Sequence, residues 1–181
     1  IWGMQFKLLH SFGETERALS TLNDALTDYP DSEQLLYARA MLYDTQSELP
    51  LMEADLKRIL VLNPKNAVAM NALGYTLADR TDRLDEALQL VTFAMQLKPN
   101  NPAIMDSMGW VHFQLGQIET ALEYLRKAHA VFPDPEVAAH LGEALWAAGQ
   151  QSEAKSVWRE AIQSDPENDY LLDIIKRFGQ P

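Results

Sequence analysis

Apolar and small residues recur along the chain with the three- and four-residue spacing of an α-helix face. Between residues 118 and 131 this face is marked by Ile118, Ala121, Leu122, Leu125 and Ala128. The block before it begins at Asn101-Pro102, a capping side chain followed by proline at the first helical position, and it stops at Gly116. The pattern therefore predicts a helical hairpin, with small residues at Gly109 and Ala121 where the two backbones approach each other.

The hairpin is repeated along the sequence. Prolines close the successive units at Pro30, Pro64, Pro99, Pro133 and Pro166, with spacings of 34, 35, 34 and 33 residues. Small residues return in phase at Gly74, Gly109 and Gly142, at Ala18, Ala87, Ala121 and Ala154, and at Ala25, Ala94, Ala128 and Ala161. A large apolar residue follows the first alanine by four positions, at Leu22, Val91, Leu125 and Trp158.

A 34-residue period with this pattern of glycine, alanine and terminal proline resembles the tetratricopeptide repeat, TPR. The resemblance implies an all-α fold, a TPR solenoid of about five helix-turn-helix repeats with a C-terminal capping helix. We expect a single array over residues 1–181, with a truncated repeat at 1–30 and further repeats at 31–64, 65–99, 100–133 and 134–166. The capping helix is predicted at 169–178, where apolar residues form one stripe.

The second repeat departs most from the pattern. Met52 and Ile59 stand where the other repeats have alanine, and the connection between its helices lacks the usual glycine. Pro50 is expected to open the second helix of this repeat. In the truncated first repeat, Phe6 takes the place of the recurring glycine. We therefore expect altered helix packing in both repeats.

The formal net charge of −11 argues against sequence-independent binding of nucleic acid, which requires a basic surface. The absence of cysteine excludes disulfides, thiolate nucleophiles and thiolate metal sites. No apolar run approaches the ~20 residues that cross a bilayer. The chain begins at Ile1-Trp2 without an initiator methionine, so we expect a fragment of a longer protein, with any signal peptide or lipid anchor upstream.

The sequence contains little that indicates a catalytic site or a metal site. The four histidines are spread over three repeats, and His140 with Glu143, three residues apart on one helix face, forms a pair that could offer two metal ligands. A histidine packed at a repeat interface is the better interpretation of His140. Acidic pairs such as Asp85-Glu86 lie at helix starts, where the helix dipole favours negative charge. We expect no enzyme activity, no metal and no cofactor.

A surface for protein or peptide partners is the remaining possibility. In TPR proteins the first helix of each repeat lines a concave groove, and the resemblance places in that groove Tyr37, Met41, Asp44, Asn71, Tyr75, Asp79, Asp106, Trp110, Phe113, Glu143 and Trp146. Helical spacing independently puts Asp106, Trp110 and Phe113 on one face. The alternative is that Trp110 and Phe113 pack against a neighbouring helix. Acids at these positions disfavour binding of a chaperone's C-terminal carboxylate, for which Asn71 and Lys7 would be the candidate contacts.

A narrower resemblance is carried by residues 71–80, 106–110 and 133–143. They are similar to the C-terminal repeats of TPR outer-membrane lipoproteins of Gram-negative bacteria. This resemblance implies a non-catalytic adaptor on the periplasmic side of the outer membrane, which binds a C-terminal processing protease and presents substrates such as peptidoglycan hydrolases. A regulatory or targeting module of a larger enzyme is the alternative, and self-association through the first two repeats is a third possibility.

Overall fold

The computed structural model describes residues 15–178, and this part of the chain is entirely helical, without strands. Its helices are α1 Thr15–Asp28, α2 Glu33–Thr45, α3 Leu49–Leu62, α4 Ala67–Arg80, α5 Leu84–Leu97, α6 Pro102–Gln114, α7 Ile118–Val131, α8 Pro135–Ala147, α9 Gln151–Ser164 and α10 Asp169–Phe178. The all-α prediction is confirmed. The predicted remnant of a first helix, with Phe6, Lys7 and His10, lies outside the described residues.

The helices begin and end at the capping residues and prolines that the sequence analysis used to predict their bounds. Each repeat-closing proline lies two residues beyond the last residue of α1, α3, α5, α7 or α9. The side chain of Asn101 accepts a hydrogen bond from the backbone N–H of Ile104, and the side chain of Asp134 accepts one from Glu136. These are the N-caps expected before Pro102 and Pro135. Proline is tolerated in the first helical turn, and the oxygen of the capping side chain accepts a hydrogen bond from a backbone N–H of that turn that has no partner within the helix.

The recurring glycines and the recurring large residues are two sides of one contact. A Cβ atom on Gly74 would lie 2.6 Å from Val91, and one on Gly109 would lie 2.5 Å from Leu125. A Cβ atom on Gly142 would overlap the indole of Trp158. The first helix of each of these repeats therefore approaches the second closely enough that the glycine hydrogen is all that fits.

Contacts divide the chain into two compact units, a first that ends at Leu73 and a second that begins at Gly74. The single array over residues 1–181 stays a prediction. Within residues 15–178, no helix combines the length and apolar character that crossing a membrane requires.

The irregular second repeat, in the first unit, is held by an ion pair. Met52 and Ile59 are fully buried where alanine was expected, and between them Asp55 is 6% exposed. The guanidinium of Arg39 donates to both Asp55 carboxylate oxygens, across 2.8 and 2.7 Å, and to the side-chain oxygen of Asn23 across 2.7 Å. One arginine on α2 thus ties α1, α2 and α3 together.

A serine replaces the usual glycine between α2 and α3. Ser47 has a φ of 60°, in the left-handed region that disfavours residues with a Cβ atom. Gly116 and Gly149 take the same conformation, with φ of 74° and 79°, at the corresponding turns of the fourth and fifth repeats. The turn geometry is therefore kept in the second repeat although the residue that favours it is absent.

The second unit ends in the predicted capping helix, α10. Its Leu171 and Ile174 are buried against the preceding repeat. The ring of Phe178 lies 5.3 Å from both Trp146 and Trp158, measured between centroids. The helix covers the apolar side of the fifth repeat, which is the role of a solenoid cap.

Candidate functional site

In the second unit, the predicted groove residues of α4, α6 and α8 gather on one face. Tyr75 and Asp79 come from α4, Asp106, Trp110 and Phe113 from α6, and Glu143 and Trp146 from α8. One contact across the helices is a hydrogen bond from the hydroxyl of Tyr75 on α4 to the carboxylate of Glu136 on α8, 61 positions later in the sequence. The face is therefore partly filled by the protein's own side chains.

Trp110 is inside this face and not on it. Its side chain is 5% exposed, and its indole stacks on His140 at 4.2 Å and on Phe113 at 5.0 Å between ring centroids. Its Nε1–H donates to the Asp79 carboxylate across 3.1 Å. The expectation that Trp110 is an open anchor is corrected, because helices α4 and α8 close over it. The alternative, packing against neighbouring helices, describes Trp110.

A chain of hydrogen bonds runs from the buried His140 under the same face to the exposed carboxylate of Glu136, and this relay was not foreseen from the sequence. The Nδ1 atom of His140, a residue with no exposed surface, lies 2.9 Å from an oxygen of Asp106. Its Nε2 atom lies 3.3 Å from the hydroxyl of Tyr75, and that hydroxyl donates to Glu136 across 2.9 Å. Sequence reasoning placed His140 at a repeat interface but gave it no partners.

The electrostatics of the relay follow from burial among carboxylates. Burial alone would lower the pKa of His140, but the charge and hydrogen bond of Asp106, with Glu136 and Glu143, raise the pKa above its ordinary value. Burial also raises the pKa of Tyr75, so its hydroxyl keeps its proton and can donate.

Two further titratable groups, the buried Glu143 and the exposed Tyr170, lie beside the relay. Burial raises the pKa of Glu143 against the opposing influence of Arg177, whose guanidinium lies 3.4 Å away, and of His140. Burial, with Glu143 and other carboxylates nearby, likewise raises the pKa of Tyr170. Carboxyl groups therefore surround the relay, and the guanidinium of Arg177 on α10 lies beside one of them, Glu143.

Part of the predicted groove in the second unit stays accessible. Phe113 and Trp146 are half-buried, and Asp79 is exposed. A neighbouring cleft of about 410 Å³ is lined by Asp134, Pro135, Glu136, Asp165, Asn168 and Tyr170. Several of its polar groups are already used as helix caps, among them Asp134 and Asn168.

In the first unit one predicted groove residue, Tyr37, lines an open cleft. Tyr37, Met41 and Asn71 are all half-buried, but Met41 and Asn71 do not line this cleft. A cleft of about 320 Å³ is lined by Glu33, Gln34, Tyr37, Asn66 and Val68. Val68 is 44% exposed, and the Glu33 carboxylate accepts hydrogen bonds from the amides of Asn63 and Asn66. This cleft joins an apolar wall to a fixed carboxylate, and of its lining residues the repeat register had indicated only Tyr37.

Metal-binding geometry is absent from the part of the chain that the structure describes. No group of three or more histidine, cysteine, aspartate or glutamate side chains in residues 15–178 could hold a metal ion. His140 and Glu143, the pair considered from the sequence, are engaged by Asp106 and Arg177 respectively.

Comparison with known proteins identifies the class of this helical repeat. Two family models, each described as tetratricopeptide repeat, match residues 3–32 and 80–144. The crystal structure of TTC0263, a thermophilic TPR protein of Thermus thermophilus, superposes with a TM-score of 0.82 over 97% of this chain and 94% of its own, at 22% sequence identity. The chain is a tetratricopeptide repeat protein with the fold of a TPR solenoid.

Several proteins are similar in sequence to this chain, and two of them are from Pseudomonas aeruginosa. TPR repeat-containing protein PA4667 is 45% identical over 140 residues, which cover 77% of this chain and 24% of that protein. Type IV pilus assembly protein PilF is 28% identical over 137 residues, which cover 74% of this chain and 54% of PilF. The chain thus spans about a quarter of the first relative and about half of the second.

Proposed function

We propose that this chain is a non-catalytic scaffold that binds a segment of another protein in the cleft of its first unit. The observation that carries the proposal is the open wall of Tyr37 and Val68 beside the carboxylate of Glu33. TPR proteins in general bind protein partners, and the name of PilF describes an assembly role for that relative.

The chemistry of the cleft defines the kind of segment that fits. Val68 and the ring of Tyr37 offer an apolar contact for one aliphatic or aromatic side chain, and burying such a side chain contributes about 1.5–3 kcal/mol. Glu33 is held in place by Asn63 and Asn66, so it presents a fixed negative charge at the edge. A basic residue next to the apolar one matches that charge.

A pair of valines in the first unit gives a matched test. Val68→Asp places a second carboxylate in the cleft, whereas Val61→Asp makes the same change at a site that is 70% exposed and does not line the cleft. With a photo-crosslinker in place of Gln34, an exposed residue that also lines the cleft, we expect Val68→Asp to weaken capture of a partner at least about tenfold and Val61→Asp to leave it unchanged. Equal capture by both variants contradicts the assignment of the cleft.

The finer form of the proposal is an adaptor between a periplasmic C-terminal processing protease and its peptidoglycan-hydrolase substrates. It is supported by the resemblance of residues 71–80, 106–110 and 133–143 to outer-membrane lipoproteins with that role. Such an adaptor acts by raising the local concentration of one partner near the other, and needs no chemistry of its own. Fractionation of cells that express the complete protein tests the location, which we propose is the periplasmic side of the outer membrane.

A further inference from the structure

The carboxylate of Glu33, at the edge of the cleft in the first unit, is hydrogen-bonded through one of its two oxygens. The side-chain amides of Asn63 and Asn66 both donate to the Oε2 atom, across 3.2 and 2.7 Å. No group within residues 15–178 donates to the Oε1 atom, and no basic side chain there forms an ion pair with Glu33. A carboxylate oxygen has about two acceptor sites, so Oε2 is saturated and Oε1 can accept hydrogen bonds from a partner.

The turn between α3 and α4 fixes which carboxylate oxygen is used. The side-chain oxygen of Asn63 accepts the backbone N–H of Lys65 across 3.2 Å, and that of Asn66 accepts the N–H of Ala69 across 2.9 Å. Because each amide oxygen is bound to the backbone, each amide nitrogen is left to donate to Glu33. The carboxylate therefore keeps Oε1 available as long as this turn is folded.

A partner that fills the cleft removes water from this carboxylate. Glu33 is half-buried, and it lines the cleft together with the ring of Tyr37 and the exposed Val68. An apolar side chain seated on Tyr37 and Val68 covers Glu33 further, and a carboxylate that loses water without gaining a cation is costly. The two asparagine amides are neutral and cannot supply that charge. The partner therefore has to bring a cation to Oε1 together with its apolar side chain.

The occupied oxygen makes Glu33 a different partner for arginine and for lysine. Arginine binds a carboxylate most strongly through two parallel N–H···O bonds, one to each oxygen. At Glu33 the Oε2 atom already accepts from Asn63 and Asn66, so the guanidinium fork loses one of its two bonds. A lysine ammonium is a point charge with three rotatable donors and needs only one free oxygen. Its aliphatic stem can also lie along the apolar wall of the cleft.

We propose that the cleft of the first unit selects a partner segment in which lysine, and not arginine, lies beside an aliphatic or aromatic side chain. The apolar side chain contacts Tyr37 and Val68, and the lysine ammonium donates to the Oε1 atom of Glu33. This selection rests on the proposed scaffold function, because it concerns the same cleft. It adds the residue type by which the cleft distinguishes one basic segment from another.

Peptide selection followed by calorimetry tests the preference for lysine. Random peptides displayed on phage are selected on the 181-residue chain, and peptides that also bind the Val68→Asp variant are removed. A selected peptide is then synthesised with lysine, arginine or uncharged norleucine at its basic position, and each form is titrated by isothermal calorimetry. We expect the lysine form to bind about fivefold more tightly than the arginine form, because the guanidinium fork cannot form its second bond, and about tenfold more tightly than the norleucine form.

Asn63→Ala tests whether the occupied oxygen causes the preference. The substitution removes the longer of the two bonds to Oε2 and opens a place for the second arm of the arginine fork, while Asn66 still binds the N-terminus of α4. The arginine form should bind this variant about fivefold more tightly than it binds the wild type, and the lysine form should bind both equally. Asn23→Ala is the matched control, because Asn23 accepts from Arg39 and does not line this cleft. Glu33→Gln removes the charge and should bring the lysine and arginine forms to the affinity of the norleucine form.

The outcomes separate this inference from the proposed function. If Val68→Asp abolishes binding but the wild type binds the arginine form as tightly as the lysine form, the lysine preference is overturned and the cleft stays a binding site. The same holds if the selected peptides have no lysine beside an apolar residue, or if the preference survives Glu33→Gln. If no selected peptide distinguishes the wild type from Val68→Asp, the cleft is not the binding site, and the proposed function and this inference are both overturned.

Discussion

Replacing Trp110 with alanine distinguishes a buried side chain from a free binding anchor. The ring is 5% exposed and is covered by His140, Phe113 and Asp79. Truncating a buried tryptophan to alanine typically costs about 3–5 kcal/mol. For a chain of this length, 1 kcal/mol corresponds to about 2–4 °C, so we expect the melting temperature to fall by roughly 6–20 °C.

Urea unfolding followed by far-UV circular dichroism measures the cost directly. Phe93→Ala is the control, because Phe93 is 55% exposed and truncation at exposed sites changes stability by about 0.5 kcal/mol or less. Because Trp110 is buried, we expect Trp110→Ala to lower the free energy of unfolding strongly and Phe93→Ala to change it little. A Trp110→Ala variant as stable as the wild type would refute the packing described here and would restore Trp110 as an open anchor.

Three further substitutions test contacts that build the fold, each measured by urea unfolding. Ser47→Gly should raise stability by up to about 1 kcal/mol, because a Cβ atom is unfavourable at a φ of 60°; a loss of stability would contradict this. Arg39→Ala should cost about 3–5 kcal/mol, since Asp55 stays buried without its cation, and a cost below about 1 kcal/mol would be inconsistent with the bidentate pair. Gly142→Ala should cost about 1–3 kcal/mol, because the new methyl group overlaps an indole; a neutral effect would show that the helices can separate freely.

The repeat architecture could be predicted because its determinants are local and recur in register. Gly109 and Leu125 belong to one hairpin, and their contact returns in the next repeat as Gly142 and Trp158. Proline two residues beyond a helix marks the end of the second helix regardless of what packs on it. Ser47 shows the limit of this reasoning, since there the flanking helices impose a left-handed turn that the residue itself does not favour.

The interior of the second unit could not be predicted, because its contacts skip repeats. Helical spacing correctly placed Asp106 and Trp110 on one face, but it could not show that Asp79 and His140, from the repeats before and after, cover that face. Tyr75 and Glu136 are 61 positions apart, and Tyr75 and His140 are 65 apart. Whether such residues meet depends on how successive repeats of the second unit pack on one another. The pattern within a single repeat does not contain that information.

The scaffold function is tested most directly by the rate at which a purified C-terminal processing protease cleaves a peptidoglycan hydrolase as the concentration of this chain is varied. A scaffold that binds both partners at once should raise the rate to a maximum and then lower it, because excess scaffold places protease and substrate on separate molecules. Val68→Asp should flatten this curve and Val61→Asp should reproduce the wild-type curve. A cleavage rate that does not change with the concentration of the chain would contradict the adaptor role.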